Sequence, residues 1–192
     1  MTYQERFEQA EKYLQARTGK YEWRCIRYNH VYDLMVNMGL NNDDLIIDIG
    51  AGYGDMDYFL RHTCHFKGRY LPIDAALDGT DLNLWSPRVI ASFIIGMEIL
   101  EHLDNPYRMM DVMKENSRKG CIATTPNPAV VDVFAMDKTH KVSIPEIDFQ
   151  RLGWNTYTAN CFGKDNDSII AYVNWFNESP FTPQPKAYCS LG

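Results

Sequence analysis

The sequence has 192 residues, of which 45% are hydrophobic and 23% charged, and its formal net charge is −6. A chain of this size suits one domain with a sizeable core. The negative balance makes a protein that holds duplex DNA through many phosphate contacts unlikely on physical grounds. No apolar run approaches the ~20 residues that cross a bilayer, so no membrane association is expected.

The N-terminal stretch MTYQERFEQAEKYLQ is polar and has no signal-peptide pattern. The five cysteines are widely spread and include no CxxC pair, which predicts neither a zinc site nor a disulfide framework. The simplest setting is therefore a reducing cytoplasm. No other pattern in the sequence predicts a metal site.

The N-terminal part of the chain is predicted to be helical. Residues 2–17 fit a charged helix, and a second helix continues to about Met38. In that second helix Val31, Leu34, Met35 and Met38 recur at helical spacing, and Gly39 fits a C-terminal stop. We expect residues 1–40 to form helices that cap the same domain as the rest of the chain.

Strands alternate with helices in the middle of the chain. Leu45 to Ile49 predicts a buried strand, and Asp55 begins a helix that runs to about residue 63. Further strands are expected at 70–73, 79–85, 89–95 and 120–124, with helical patterning at 98–103 and 105–117. Residues 129–150 show no regular pattern. Residues 155–162 and 168–176 predict a hairpin, and the proline-rich residues 177–192 predict an extended or disordered tail.

This order of elements predicts an α/β fold: a Rossmann-like, mostly parallel sheet with helices on both faces and an antiparallel C-terminal hairpin. The main domain is expected over residues 41–176. Only residues 75–79 separate Asp74 from the predicted third strand. The helix between strands two and three is therefore expected to be shortened or missing.

A glycine-rich turn follows the first strand, with Gly50, Gly52 and Gly54 at alternate positions. Glycines there permit a sharp strand-to-helix turn and let the backbone approach a ligand without a Cβ in the way. A dinucleotide fingerprint would need glycine where Asp55 stands, and an acid at the start of a helix repels a pyrophosphate. The turn therefore favours a nucleoside cofactor without phosphates over a nicotinamide-dependent oxidoreductase. The alternative is a tight turn with no ligand.

Two acids downstream are candidates for contacts with such a nucleoside. Asp74 ends the second strand, where a carboxylate can accept hydrogen bonds from both ribose hydroxyls. Asp81 is placed to accept from an adenine amino group, with Leu82 packing on the ring. For both acids the alternative is an ordinary position in an exposed turn, and the assignment of Asp81 depends on the predicted third strand.

Several motifs together resemble class I S-adenosylmethionine-dependent methyltransferases. Residues 48–54, DIGAGYG, resemble the first motif of that family, and Asp74 matches its strand-two acid. Residues 93–103, FIIGMEILEHL, resemble the segment after strand four, and residues 124–128, TTPNP, resemble the end of strand five. Residues 140–154 resemble a later segment in which a histidine precedes a short helix. The resemblance covers about residues 40–176.

The resemblance implies a sheet of the seven-stranded type, S-adenosylmethionine as cofactor and methyl transfer by in-line displacement. The residues that it places at the cofactor are Asp48, Gly50, Ala51, Gly52, Gly54, Asp74, Asp81, Leu82, Met97 and Glu98. No N/D-P-P-Y/W motif of DNA amino-methylating enzymes follows strand four. A small-molecule acceptor is therefore expected. The alternative is a protein that binds the cofactor as a sensor or inactive partner subunit without transferring methyl groups.

Two histidines are candidate catalytic residues. His102 follows Glu98 by four positions, which would place both on one face of a helix. His140 lies in a segment expected to cross the strand ends, and a near-neutral pKa suits a base. The alternatives are a structural pairing of His102 with Glu98 and an idle surface position for His140.

The segment 21–32, YEWRCIRYNHVY, is dense in aromatic and cationic residues. As a lid, Trp23, Arg27 and Tyr28 could stack on a planar acceptor and pair with an anion. The alternative is an amphipathic helix whose aromatic side chains pack on the sheet.

Overall fold

The computed structural model describes residues 18–176, with side chains from Arg24 onward. The predicted helix at 2–17, the side chain of Trp23 and the predicted tail at 177–192 lie outside the described part. Six strands are described: β1 (Leu45–Ile49), β2 (Arg69–Ile73), β3 (Ala91–Met97), β4 (Ser117–Pro126), β5 (Asn155–Ala159) and β6 (Ser168–Asn174).

These strands form one sheet in the order β2-β1-β3-β4-β6-β5. β1 runs parallel to β2 and β3, and β3 runs parallel to β4. β6 is antiparallel to both β4 and β5. The predicted α/β fold, mostly parallel with a closing antiparallel hairpin, is confirmed.

The helices lie between the strands in sequence. They are α1 (Thr18–Asn37), α2 (Asp55–Tyr58), α3 (Ala75–Asp78), α4 (Pro106–Glu115), α5 (Val133–Met136) and α6 (Glu146–Arg151). α2 continues as a π-helix over Phe59–Thr63, and a short 3₁₀ turn spans Leu100–His102. Within the described ranges, none of these helices combines the length and apolar character required to span a membrane.

Helix α1 packs on one face of the sheet through the predicted apolar stripe. Val31, Leu34 and Met35 are fully buried and belong to the same core cluster as Phe93 and Ile122 of the sheet. On the opposite face, α4 and α6 cover a second core cluster. Both faces are therefore sealed, which leaves the carboxyl ends of the strands as the place for a site.

Gly39 terminates helix α1, as predicted. Gly39 has a φ of 81°, in the left-handed region. The amide of Gly39 donates to Val36 O and the amide of Leu40 donates to Met35 O, each at 2.9 Å. This pair of bonds is a Schellman motif, which satisfies helix carbonyls that would otherwise lack partners.

The predicted third strand at 79–85 is wrong, because the segment forms turns. Asp81 accepts a 2.9 Å bond from the amide of Asn83, and the Asn83 side chain accepts from the amide of Asp104 at 2.8 Å. Local side-chain bonds of this kind compete with strand pairing. The described sheet consequently has six strands rather than seven. The helix between the second and third predicted strands is shortened to the four residues of α3, as expected.

The predicted helix at 98–103 is also wrong. Glu98 has a φ of 54°, which no residue of a right-handed helix adopts, and its amide donates to Thr124 O at 2.9 Å. Only the 3₁₀ turn at Leu100–His102 follows. Glu98 and His102 are therefore not related by helical spacing on one face. Residues 129–150, predicted as irregular, contain the short helix α5 and all but the last residue of α6.

Candidate functional site

A cleft of about 520 Å³ opens at the carboxyl ends of β1 and β3. The chain reverses its progress across the sheet between these two strands, which is where open α/β sheets bind ligands. The predicted site residues that line the cleft are Arg27, Tyr28, Asp48, Gly50, Ala51, Gly52, Met97, Glu98, His102 and His140. Further lining residues, which sequence reasoning did not single out as site residues, are Arg24, Asp55, Met56, Met136, Asp137, Cys161 and Phe162.

Four predicted cofactor residues are not among those that line the cleft: Gly54, Asp74, Asp81 and Leu82. Asp81 is exposed and bonded to Asn83. Leu82 is only 7% exposed and packs in the core cluster beneath α4. The structure therefore does not bring Asp81 and Leu82 to the cleft. Asp74 lies beside it, as its hydrogen bonds show.

The space available for a side chain differs between the glycines of the turn. Gly50, Gly52 and Gly54 have φ values of 70°, 56° and 90°, all in the left-handed region. A Cβ on Gly50 would lie 2.4 Å from Ile99 Cγ1, whereas a Cβ on Gly52 would meet no atom within 4 Å. Gly50 is thus required by packing, while Gly52 lines the cleft and has open space where a Cβ would stand.

Asp74 ties the glycine turn to the end of β2. Its Oδ2 accepts a 2.9 Å hydrogen bond from the amide of Gly52. Its Oδ1 accepts from the amide of Ala76 at 2.8 Å and so caps the N-terminus of α3. Each carboxylate oxygen retains a lone pair, so the residue can still accept from a neighbouring ligand hydroxyl.

Asp48 ends in the floor of the cleft and is 1% exposed. The Tyr70 hydroxyl donates to its Oδ2, and among the described residues its Oδ1 has no hydrogen-bond partner. The pKa of Asp48 is raised to about 8, mainly by burial; the nearby carboxylates of Asp74, Asp57 and Asp55 contribute to this rise, and the Tyr70 hydrogen bond opposes it. A cation close to Oδ1 would favour the ionised form of Asp48.

Two arginines of α1 reach the cleft. Arg24 forms an ion pair with Asp55, the first residue of α2. Arg27 is 6% exposed and its Nη1 lies 2.9 Å from Glu98 Oε1, while the Thr124 hydroxyl donates to the same oxygen at 2.9 Å. Glu98, with its positive φ, is thus held at one carboxylate oxygen from two other elements, α1 and β4. Backbone strain of this kind persists where the surroundings over-determine it, often at functional sites.

Tyr28 and Arg27, two residues of the predicted lid, have different environments. Tyr28 is 5% exposed, and its ring centroid lies 5.7 Å from that of Phe59 in the core. It touches the cleft only as part of its wall. Tyr28 therefore fits the alternative, in which the aromatic side chain packs in the core. Arg27, by contrast, lines the cleft, and its guanidinium lies 5.2 Å from the ring centroid of Phe162.

His102 and His140 meet at the lining of the cleft. Their rings pack edge to face with centroids 4.6 Å apart. His102 Nδ1 lies 3.0 Å from the Thr139 hydroxyl oxygen, and Thr139 donates its proton to Asp137 at 2.7 Å. His140 Nδ1 lies 2.5 Å from the carbonyl oxygen of Val133. Both candidate catalytic histidines are thus brought to one point.

Glu101 lies behind the two histidines and was not singled out by sequence reasoning. It is fully buried, with Oε1 3.9 Å from His140 Nε2 and Oε2 accepting from the Thr125 hydroxyl at 3.3 Å. Burial raises the pKa of Glu101 to about 7. One donor atom from each of Glu101, His102 and His140 lies within 4.8 Å of the others. The only local signal was the Glu101-His102 pair, because His140 arrives from a distant loop.

The structure is similar to solved methyltransferases. A SAM-dependent methyltransferase from Archaeoglobus fulgidus matches with a TM-score of 0.58 at 13% identity, over 79% of this chain and 94% of that one. The plantazolicin methyltransferase BpumL, in complex with SAH, matches with a TM-score of 0.58 at 13% identity, over 86% and 88%. Magnesium protoporphyrin IX methyltransferase from Synechocystis PCC 6803, with bound SAH, gives 0.53 at 12%, over 81% and 83%. No protein-family model and no curated protein matches the sequence.

Proposed function

We propose, from the premise that this chain has the class I S-adenosylmethionine-dependent methyltransferase fold, that it binds S-adenosylmethionine and transfers the methyl group to a small-molecule acceptor. The observation that carries the proposal is the link between Gly52 and Asp74 at the edge of the cleft. It joins an open glycine backbone to a carboxylate at the end of the neighbouring strand. Those are the two parts that a nucleoside without phosphates requires.

The residues of the cleft fit this cofactor. A volume of about 520 Å³ lies within the usual range of small-molecule sites. The open side of Gly52 leaves room for a ligand, and Asp74 can accept from ribose hydroxyls with its remaining lone pairs. The buried Oδ1 of Asp48 supplies a hydrogen-bond acceptor for the ammonium group of the cofactor. The positive charge of that ammonium group would offset the cost of ionising the carboxyl group.

Methyl transfer from a sulfonium needs little covalent help from the protein. The cofactor supplies an activated methyl group and a good leaving group. The chain holds the acceptor in line with the methyl carbon and excludes water. Arg27, which is paired with Glu98, lines the cleft together with His102 and His140, and these side chains are placed to hold the acceptor. An acceptor that must lose a proton would be bound at the histidines.

A small acceptor suits the size of the cleft and the formal net charge of −6, which disfavours duplex DNA. Two of the similar structures are named for small-molecule acceptors, plantazolicin and magnesium protoporphyrin IX. The lining of this cleft also includes Met136, Asp137 and Phe162. Apolar walls with a few polar groups are typical of sites for small molecules.

The test is calorimetric binding of S-adenosylhomocysteine to the purified chain, followed by incubation of labelled S-adenosylmethionine with a matched small-molecule extract. We expect saturable binding and a labelled product that is absent without the protein. Binding with no labelled product in any extract would favour a sensor or inactive subunit. Tight binding of NAD with none of S-adenosylhomocysteine would overturn the proposal.

A further inference from the structure

We propose that Glu101, His102 and His140 bind one divalent transition-metal ion, and that this ion takes a hydroxyl oxygen of the methyl acceptor. Imidazole nitrogens with a carboxylate are a common ligand set for such ions, which keep open positions for substrate when only three side chains bind them. One donor atom of each residue lies within 4.8 Å of the other two. The acceptor half of this inference rests on the proposed function.

The hydrogen bonds around His102 leave one ring nitrogen ready for a metal. The Thr139 hydroxyl donates its single proton to Asp137 at 2.7 Å, so it acts as acceptor toward His102. His102 Nδ1 lies 3.0 Å from that hydroxyl and therefore carries the donated proton. Nε2 is then the unprotonated nitrogen. A chain of carboxylate, hydroxyl and imidazole of this kind orients a metal-binding histidine.

His140 is oriented in the same way by a different group. Its Nδ1 lies 2.5 Å from the carbonyl oxygen of Val133, and a carbonyl can only accept. Nδ1 is therefore the protonated nitrogen, and the lone pair of Nε2 points toward Glu101, whose Oε1 is 3.9 Å away. His102 and His140 come from different segments of the chain, and in each of them Nε2 is the unprotonated nitrogen.

Glu101 provides the independent observation that this point takes a ligand. Its side chain is fully buried, and among the described residues its Oε1 has no hydrogen-bond partner. A buried polar atom without a partner costs free energy that proteins normally avoid. A metal ion between Oε1 and the two Nε2 atoms would satisfy it. The other oxygen, Oε2, already accepts from Thr125.

The position of the cluster gives the ion a role in the reaction. His102 and His140 line the same cleft as the glycine turn and Glu98, whereas Glu101 lies behind them. Open coordination positions would therefore face the cleft. An acceptor hydroxyl held there is acidified by the ion, and the oxygen is fixed beside the methyl donor.

The chemistry balances without any change in the oxidation state of the metal. The coordinated hydroxyl gives its proton to water, and its oxygen attacks the methyl carbon. The new bond joins oxygen to carbon, the bond that breaks joins carbon to sulfur, and the electron pair returns to sulfur. The products are a methyl ether, S-adenosylhomocysteine and a proton. The predicted acceptor class is a small molecule with a metal-binding hydroxyl.

Cobalt(II) is the probe for the ion, because its visible absorption reports histidine ligation. Chelator-treated wild-type protein is titrated with Co²⁺ beside the variants His102→Ala, His140→Ala, Glu101→Gln and Thr139→Val. The control is His62→Ala, because His62 stacks on Tyr58 away from the cluster. We expect one Co²⁺ per wild-type chain, a loss of more than about 100-fold in affinity for each ligand variant, and a loss of roughly 10- to 100-fold for Thr139→Val.

Folding and the proposed function are followed separately. Circular dichroism and calorimetric binding of S-adenosylhomocysteine show whether each variant folds and keeps its cofactor site. Wild-type protein that binds Co²⁺ no more tightly than folded His102→Ala and His140→Ala would overturn the metal site. Tight Co²⁺ binding without S-adenosylhomocysteine binding would leave the metal site standing and overturn both the proposed function and the acceptor role of the ion.

The acceptor role is tested with 4-nitrocatechol, whose absorption changes when its hydroxyl oxygens bind a metal. The Co²⁺-loaded protein is freed of excess ion and titrated with the probe. We expect a spectral change that saturates at one probe per chain, with no such change for His140→Ala treated identically. A loaded wild-type protein that gives no change would overturn the assignment of the acceptor hydroxyl to the ion.

Discussion

The backbone amide of Gly52 donates a 2.9 Å hydrogen bond to the Asp74 carboxylate, which joins the turn after β1 to the residue that ends β2. The same carboxylate caps α3 through the amide of Ala76. One side chain therefore holds two backbone turns in their relative positions. The geometry of the glycine turn depends on Asp74 even though the residue does not line the cleft.

The first prediction concerns Asp74→Ala. It removes the acceptor for two amides and the proposed acceptor for ribose, so S-adenosylhomocysteine affinity should fall more than about tenfold, or ~1.4 kcal/mol. Loss of the cap should cost about 1 kcal/mol of unfolding free energy. Calorimetry and urea denaturation measure the two effects. Asp78→Ala, which removes an exposed acid bonded to Thr80, serves as the control. Unchanged affinity in folded Asp74→Ala would remove the residue from the site.

The second prediction compares two glycines in the same backbone conformation. Gly52 and Gly153 have φ values of 56° and 79°, and a Cβ on either would meet no atom within 4 Å. Replacement by alanine should therefore cost each about 1 kcal/mol of stability through backbone strain alone. Only Gly52→Ala should also lower the affinity for S-adenosylhomocysteine, because Gly52 lines the cleft and Gly153 is not among its lining residues. Equal affinities of the two variants would place the ligand elsewhere.

The third prediction is a dependence of stability on pH caused by Asp48. The pKa of Asp48 is about 8 in the folded chain and 3.8 for a free aspartate. Between these values the folded state binds one more proton than the unfolded state, so stability falls as pH rises across that window. Melting temperatures measured from roughly pH 5 to pH 8.5 should fall more steeply for wild type than for Asp48→Asn. Parallel curves would contradict the assignment.

Asp44 offers a contrast for the same experiment. Burial alone would raise its pKa, but hydrogen bonds from Lys119 and the amide of Asn41 lower it overall. Its contribution to stability is present above the pKa of an unfolded aspartate and is lost as pH falls through the depressed value. Asp44→Asn should therefore change the acid side of the stability curve and leave its slope near pH 7 as in wild type.

The fourth prediction concerns the ion pair between Arg27 and Glu98. Arg27→Met leaves the Glu98 carboxylate with a hydrogen bond from the Thr124 hydroxyl but without its cation, and should cost about 2–3 kcal/mol. The double variant Arg27→Met/Glu98→Gln should recover at least ~1 kcal/mol, since no charge is then left unpaired. Arg151→Met, which removes an exposed pair with Asp148, should cost less than ~0.5 kcal/mol. Urea denaturation of wild type, Arg27→Met, Glu98→Gln and the double variant decides, and additive costs of the two single substitutions would show that the pair is not coupled.

Local patterns in the sequence were sufficient where local interactions decide the structure. The strand at Leu45–Ile49, the apolar stripe of α1 and the stop at Gly39 follow from periodicity and from one glycine, and the structure confirms all three. The shortened helix after Asp74 followed from the short distance to the next apolar stretch. In each case the residues that decide the outcome are neighbours in the chain.

The errors arose where distant contacts override such patterns. The segment after β3 has good helical spacing, yet Glu98 takes a positive φ because Thr124 and Arg27 hold it from two other elements. The predicted third strand is prevented by side-chain bonds that reach as far as Asp104. Likewise, Glu101 comes together with His140 only through the path of the loop that follows β4. None of these contacts has a signature within a short stretch of sequence.

The turn at 79–85 also has a consequence for association between chains. Without a third strand, β2 is the outer strand at one side of the described sheet. An exposed edge is a template for pairing with a second molecule, and a route to aggregation. Pro72 is the next-to-last residue of β2 and has no amide proton to donate. The proline therefore interrupts the row of donors along that edge and protects the shortened sheet from extension by another copy of the chain.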